Sequence, residues 1–435
     1  MSTTAEVKLW GKTIGAVSLD DNSSIADFDY NPQFIDSGIE IAPLMMPLSN
    51  KVYRFPTLAN ETFNGLPGML ADSLPDKFGN ALINAWLAKE GRTPDSFNAV
   101  ERLCYTGKRG MGALEYHPIK GPRAKFSKEI KVNRLVELAS EILSQREDMS
   151  VSFSKAKKGQ SLREILQVGT SAGGARAKAI IAWNPLTNKV QSGQVEADPG
   201  FEYWLIKFDG VANNKDRELA DPKGFGAIEF AYFNMARDAG IKINDCRLLE
   251  ENGRRHFMTR RFDRDLTGRK LHVQTLGAMA HLNYNSPGAH SYEEAFLVMR
   301  RLGLPALQVE QLFRTMVFNI IARNQDDHVK NISFLMNQEG VWSLSPAYDL
   351  TYSYRASGKW TGSHQMTMNG KKDHFTIEDF DICSKAALLK RGLARQIIQD
   401  VDAVVSSWPD YADKAKVDPE RRDQIRGVLR VGKFF

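Results

Sequence analysis

The chain has 435 residues, more than one hydrophobic core usually organises, so two or three compact parts are expected. Its 42% hydrophobic and 25% charged content is that of a globular protein, no apolar run is long enough to span a bilayer, and the first residues lack the layout of a signal peptide. Cys104, Cys246 and Cys383, odd in number and far apart, exclude a disulfide framework or a cysteine zinc site, so a cytoplasmic protein with three buried thiols is expected.

The net charge of +6 is small against 58 basic and 52 acidic residues, and it permits contact with nucleic acid without pointing to it. Basic runs at 125–131, 155–158 and 421–433 read as solvated surface or flexible connection.

In chain order, residues 5–20 alternate apolar and polar positions on either side of Gly11-Lys12, which predicts a hairpin. Residues 71–90 carry Phe78, Leu82, Ile83, Trp86 and Leu87 at helical spacing. The glycines at 110–112 and Pro118 predict a turn into a short strand, which closes a first part at 1–120. A basic linker follows at 121–131, then an amphipathic helix at 132–143 with Leu135, Leu138, Ile142 and Leu143 on one side, then a polar stretch at 152–162.

The segment 166–183 reads as strand, glycine-rich loop, strand. A Walker A loop would open a helix and end Gly-Lys-Ser/Thr, whereas here Gly174 is followed by Ala175. Without side chains in the way, the backbone of Ser171, Ala172, Gly173, Gly174 and Ala175 can approach phosphate oxygens, with Arg176 or Lys178 adding charge. Taken alone, the loop equally fits a plain hairpin turn.

Lys207 closes the apolar strand 203–209, either meeting nucleotide phosphates or snorkelling to water from a sheet edge. A helix at 226–240 has Glu229 in its first turn, where the helix dipole alone accounts for it; pairing with Lys207 is the other option. Strands at 246–250 and 256–262 flank Glu251-Asn252-Gly253, and the second ends in Arg-Arg-Phe-Asp-Arg-Asp. There the backbone of Arg260, Arg261 and Phe262 is placed to bind adenine, which closes a nucleotide-binding part at 121–262. Helices at 291–302 and 307–323 belong to a last part, 263–435, so the plan is α+β and two-lobed.

Residues 318–354 set acidic, amide and imidazole groups inside apolar sequence, and burying such groups is costly unless each has a partner. Asp326 and Asn331 are five apart, the spacing between a catalytic aspartate and a metal-binding asparagine in protein-kinase loops. Asp349 follows an apolar run and supplies a second oxygen ligand, and Mg²⁺ needs few ligands from protein because it keeps water and phosphate oxygens. His328 either touches the nucleotide or orients Asp326 or a backbone carbonyl.

Asn324-Gln325-Asp326-Asp327-His328-x-x-Asn331 and Ala347-Tyr348-Asp349-Leu350, with Ser171-x-Gly173-Gly174-Ala175-x-x-Lys178 and Arg261-Phe262-Asp263-Arg264, resemble the HipA family of bacterial toxin serine/threonine kinases. The Leu-Pro-Asp-x-x-Gly-Asn-Ala segment at 74–81 and the N-terminal hairpin extend the resemblance over nearly the whole chain. It implies a phosphatidylinositol-kinase-like catalytic fold with an added N-terminal subdomain. It implies Asp326 as catalytic base, Asn331 and Asp349 as Mg²⁺ ligands, and Lys207 on the ATP phosphates with His328 as a further nucleotide contact. It implies autophosphorylation in the glycine loop at Ser171, with Thr170 next door leaving the assignment open by one residue. A small HipB-like helix-turn-helix antitoxin, operator DNA bound through it, and glutamyl-tRNA synthetase as substrate complete the expectation. A corepressor role and a lipid or small-molecule kinase are the alternatives. Gln325 and Asp327 depart from the usual Asn-Thr-Asp-Arg-His of the resemblance, and Ala177 stands where an acidic residue is often seen.

Overall fold

The computed structural model describes residues 2–121, 130–144, 176–194, 197–211, 223–265 and 268–434. Thr170 and the whole loop Ser171, Ala172, Gly173, Gly174 and Ala175 lie outside them, as do the polar stretch 152–162 and most of the expected linker. The chain divides into two compact units. The first is Met1–Glu40, Met46–Gly226 and Arg247–Val273; the second is Ile41–Met45, Ala227–Cys246 and Gln274–Phe435.

In the first unit, β1 (Ser2–Leu9) and β2 (Lys12–Asp20) pair antiparallel with Leu9 opposite Lys12. Their alternation places Ala5, Val7, Leu9, Val17 and Leu19 in the core. The turn falls at Trp10-Gly11, one residue before the expected place, with φ of +48° and +82°. Two left-handed residues give a two-residue loop whose twist matches that of the strands it joins. β3 (Asp27–Tyr30) and β4 (Leu114–His117) complete a sheet of order β3-β2-β1-β4, so the short strand expected before Pro118 forms its edge.

The second sheet of this unit runs β6-β5-β7-β9-β8, built from β5 (Lys178–Trp183), β6 (Val190–Ser192), β7 (Glu202–Lys207), β8 (Cys246–Glu251) and β9 (Arg254–Arg260). All six residues of β5 are buried, which is why its sequence is a continuous apolar run rather than an alternation. Ala179, Ile181 and Trp183 of β5 share one core with Trp204 and Ile206 of β7, with Phe78, Leu82 and Ala85 of the helix Lys77–Lys89, and with Leu135, Val136 and Ala139 of the helix Val132–Ser144. Of the residues read at helical spacing in Lys77–Lys89, Phe78, Leu82 and Trp86 face this core, while Ile83 and Leu87 turn to a second cluster with Phe97 and Tyr105.

The second unit is mainly helical, with Tyr292–Arg301, Ala306–Ile321, Ile377–Ala386, Leu393–Ser406, Trp408–Lys414 and Pro419–Arg426, and most of Phe225–Asp238. Its short strands are β11 (His290–Ser291), β12 (Ser333–Met336), β13 (Trp342–Leu344) and β14 (Met366–Thr367), preceded by β10 (His272–Thr275) where the chain enters the unit. β12 pairs antiparallel with β13 and β11 parallel with β14. Leu312, Phe313, Met316, Val317, Ile320 and Ile321 are the buried stripe of Ala306–Ile321, as their spacing predicts.

A strand-rich first part followed by a helical second is the expected α+β plan. Among the described residues no helix is long and apolar enough to cross a membrane, and the three cysteines are buried and unbridged. One expectation fails. The basic run 421–433 is not all solvated surface, because Arg430 is only 7% exposed.

Candidate functional site

The helix Ala306–Ile321 ends at Ala322, and Arg323, at φ +55°, turns the chain out of it. The loop that follows is stitched down at once: the Gln325 N–H donates to Ser353 O (3.0 Å) and the Ser353 N–H to Arg323 O (3.1 Å). It then closes on itself, as the Asn331 N–H donates to His328 O and Asn331 Nδ2 to Asp326 O, both at 2.8 Å. The five-residue spacing thus has a local cause: Asn331 braces the backbone of Asp326. Because its Nδ2 is committed inward, Oδ1 is the oxygen it has for a cation.

Asp326 and Asp327, adjacent in sequence, have opposite environments. The Asp326 side chain is 42% exposed, with His328 Nε2 at 3.9 Å from its Oδ1. That is a long contact, so His328 stands beside the carboxylate rather than gripping it. The Asp327 side chain is 1% exposed. Its Oδ2 accepts from Tyr292 OH (2.7 Å) and His364 Nδ1 (2.8 Å), and its Oδ1 accepts from the Gln365 N–H (2.8 Å). Asn319 Nδ2 donates to Tyr292 OH (3.1 Å), and Asn324 Nδ2 donates to Asn319 Oδ1 (2.9 Å), whereas the buried Asn324 Oδ1 and Gln325 Nε2 have no hydrogen-bond partner among the described residues.

Asp349 lies in a second loop, at φ +54°, a conformation that aspartate tolerates better than most side chains. Two ties join this loop to the first: Tyr348 OH donates to Lys330 O (2.6 Å), and Asn324 Nδ2 reaches Asp349 O (3.4 Å). The Ala347 N–H donates to Lys242 O (2.8 Å) and anchors its start. Among the described residues no group of three or more His, Cys, Asp or Glu side chains converges on a metal position. One carboxylate and one amide oxygen fit a hard cation that takes its other ligands from phosphate and water, not one held by a protein cage.

In the first unit, Lys178 and Lys207 are opposite one another on antiparallel β5 and β7, so their side chains share a face. Both are buried, at 2% and 7% exposure, so Lys207 is not a lysine snorkelling from a sheet edge. Like charges directly opposite repel unless an anion intervenes. Asp76 supplies it, with its carboxylate 3.2 Å from the Lys178 ammonium. The same carboxylate caps the helix Lys77–Lys89 by accepting from the Gly79 N–H. Sequence reading missed Asp76 as a partner of Lys178; its place at the helix start was the only signal. The Lys207 ammonium lies 5.7 Å from the centre of the Phe257 ring.

The Arg-Phe-Asp-Arg motif packs inward. Arg261 grips Asp263 with two bonds (Nε to Oδ1 2.8 Å, Nη2 to Oδ2 2.6 Å), and Arg264 and the Gly112 N–H add 2.8 and 2.7 Å contacts to Oδ2. Burial opposes ionisation of Asp263, but the two guanidinium groups outweigh it and hold the carboxyl well below the usual carboxylate range. The Arg261 N–H donates to Tyr203 O (3.0 Å). The N–H and guanidinium of Arg261 are therefore both committed inside the unit. Arg260 sits 3.9 Å from Glu202, and Phe262 is half-buried.

The profile of the HipA-like C-terminal domain matches residues 170–408, over half of the chain, and that of the HipA N-terminal domain matches residues 5–117. The chain belongs to the HipA family. Its fold resembles that of HipA in a Shewanella oneidensis toxin–antitoxin complex of HipA, HipB and operator DNA, with a TM-score of 0.65, 16% identity, and coverage of 99% of this chain and 97% of that one. Two curated relatives are provisionally named as kinases. Y4mE of Sinorhizobium fredii is 30% identical over 125 residues, 27% of this chain and 30% of that protein. A Haemophilus influenzae protein is 25% identical over 134 residues, 28% of this chain and 39% of that protein. The matches thus span only about a third of the curated relatives' length.

In this HipA-family chain, Asp326, His328, Asn331 and Asp349 belong to two cross-tied loops of the second unit, while Lys178, Lys207, Arg260, Arg261 and Phe262 belong to the first. Sequence reading also missed His364, Tyr292 and Arg430, the distant groups that surround Asp327. A histidine or arginine 37 or more residues away carries no local signal of its partner.

Proposed function

We propose that this HipA-family chain is an ATP- and Mg²⁺-dependent serine/threonine protein kinase and the toxin of a toxin–antitoxin pair. The observation that carries the reading is the brace from Asn331 to the Asp326 backbone, which leaves one carboxylate exposed and one amide oxygen available beside a cross-tied loop bearing Asp349. Asp326 orients the attacking hydroxyl and receives its proton as the hydroxyl oxygen bonds to the γ phosphorus and the bond from that phosphorus to the β–γ bridging oxygen breaks, releasing ADP. Asn331 Oδ1 and the Asp349 carboxylate would hold Mg²⁺, which when bound neutralises charge on the β and γ phosphates. Lys207 and Lys178 contribute positive charge toward phosphate, with Asp76 offsetting part of that charge at Lys178. The glycine loop with Ser171 or Thr170 is the proposed site of self-inactivation by autophosphorylation.

The likeness to a HipA that was solved with HipB and operator DNA supports a HipB-like antitoxin as partner, with operator DNA bound through it. Glutamyl-tRNA synthetase is the proposed substrate, on the family resemblance, and the cytoplasm the proposed location. Incubation with γ-labelled Mg-ATP and glutamyl-tRNA synthetase tests the reading. Label should reach protein serine or threonine, and Asp326→Asn should lower kcat by about 10²- to 10⁴-fold without unfolding the chain. An unchanged rate in Asp326→Asn defeats the site assignment, and label on an inositol lipid alone makes this a lipid kinase.

A further inference from the structure

The last residues of the chain run beneath the loop that carries Asp326. Arg430, at 7% exposure, sends Nη1 to His364 Nε2 (2.9 Å) and to Ile320 O (3.0 Å), and its N–H donates to Ile321 O (3.0 Å). Its Nη2 bonds to Asp373, whose other oxygen lies 3.6 Å from Arg323. Arg323 in turn donates from Nε to Val428 O (2.9 Å). The Gly432 N–H donates to Asp402 (2.8 Å), and the Phe434 ring meets Phe380 edge-on at 5.1 Å.

These contacts fix both ends of one short loop. At its start, Arg430 satisfies two of the carbonyls that a helix end leaves open, at the last residues of Ala306–Ile321. Further along, it reaches Asp327 through His364. A guanidinium only donates, so His364 Nε2 must accept, which places the ring proton on Nδ1 and points it at Asp327. The direction of every bond in the series is therefore set. Asp326 lies between the two fixed points, and its own side chain is 42% exposed.

We propose that Arg430 is a positioning residue for phosphoryl transfer: acting through His364 and Asp327, and through the end of the helix before them, it fixes the loop on which Asp326 is presented. The proposal rests on the kinase reading for its effect on rate, though not for its effect on the loop. A base displaced by a fraction of an ångström from the attacking hydroxyl loses rate, while the contacts that Lys178 and Lys207 make to the nucleotide in the kinase reading lie off this loop and are kept.

The test uses the full chain with Arg430→Met, Arg430→Lys, His364→Leu and, as control, exposed Lys433→Met. Steady-state kinetics with Mg-ATP are read beside hydrogen exchange of peptides covering 324–331. Arg430→Met should lower kcat about 10- to 100-fold with KM for ATP within about twofold, and should speed exchange in 324–331 while leaving β1 and β2 unchanged. Arg430→Lys, which keeps one donor, should recover part of both, and Lys433→Met should match the unaltered chain. If Arg430→Met fails to fold, His364→Leu decides. It neither accepts from Arg430 nor donates to Asp327, so it should show the same loss. Unaltered kcat and exchange in a folded variant overturn the proposal, as does exchange raised uniformly along the chain, which marks a mere anchor. If the unaltered chain transfers no phosphate, the kinase reading fails, and exchange at 324–331 alone decides whether the clamp exists.

Discussion

Asp263 and Asp327 are both buried, at 0% and 3% exposure, yet one is surrounded by guanidinium groups and the other by a hydroxyl, an imidazole and a backbone amide. Attraction between charges falls off gently with distance and depends little on angle. Arg261 and Arg264 therefore rivet Asp263 at the Gly112 turn by an attraction that needs no fine geometry, in addition to the angle-dependent fork of Arg261 and the Gly112 N–H. At Asp327 three directional neutral donors do define a fine geometry, since each weakens steeply when bent. Burial, with Asp327 beside it, raises the Tyr292 hydroxyl well above its ordinary range, so it remains a donor to that carboxylate. The rivet serves the first unit's architecture, and the directed set serves the orientation of a loop.

The largest expected effect is on the rivet. Asp263→Ala leaves two buried guanidinium groups without their anion and should cost about 3–5 kcal/mol in denaturant unfolding; a loss below about 1 kcal/mol would mean that the arginines find water instead. Asp327→Asn should cost less, about 1–3 kcal/mol. Its amide NH₂ would meet the Nδ1–H of His364, and the ring can turn its proton to Nε2 only by pointing it at Arg430. If the two variants lose equal stability, the contrast between charge and direction is wrong.

A pH series separates the two kinds of site further. Burial pulls His256 down to about 4, with Asp209 opposing, and its Nδ1 accepts from the Asp209 N–H (2.9 Å). A histidine with lowered folded pKa takes up its proton first in the unfolded chain. Stability should thus fall as pH drops from about 6.5 to about 4, by at most about 3 kcal/mol for this group. Asp263 adds no slope there, because a carboxylate with lowered folded pKa keeps its full stabilisation above the ordinary carboxylate range and loses it only at lower pH. Unfolding free energies at several pH values check the assignment, with His256→Asn as the variant that should remove the His256 share of a slope to which the buried His272 and His281, also pulled down, contribute. The smallest effect is that of Arg269→Ala, which breaks a 3.1 Å surface pair with Asp265 whose arginine is 71% exposed. It should change stability by no more than about 0.5 kcal/mol, and a larger loss would show that surface pairs here act as the buried ones do.

The sequence by itself determined the parts whose cause is local. Period-two alternation placed β1 and β2, helical periodicity placed the buried stripe of Ala306–Ile321, and the interval from Asp326 to Asn331 is spanned by a single loop that Asn331 closes on itself. The choice of polar partners was decided only by tertiary structure. Asp327 finds His364 37 residues away, His364 finds Arg430 66 away, and Asp263 finds Gly112 151 away. Arg430 looked like one more solvated charge in a basic tail, and Lys178 like a charge for phosphate with no protein partner named, until folding brought His364 and Asp76 to them. Periodicity records which face of an element is buried, because that is repeated every turn or every second residue. A buried ion pair or a directed hydrogen bond is made once, between residues that only the completed chain path brings together.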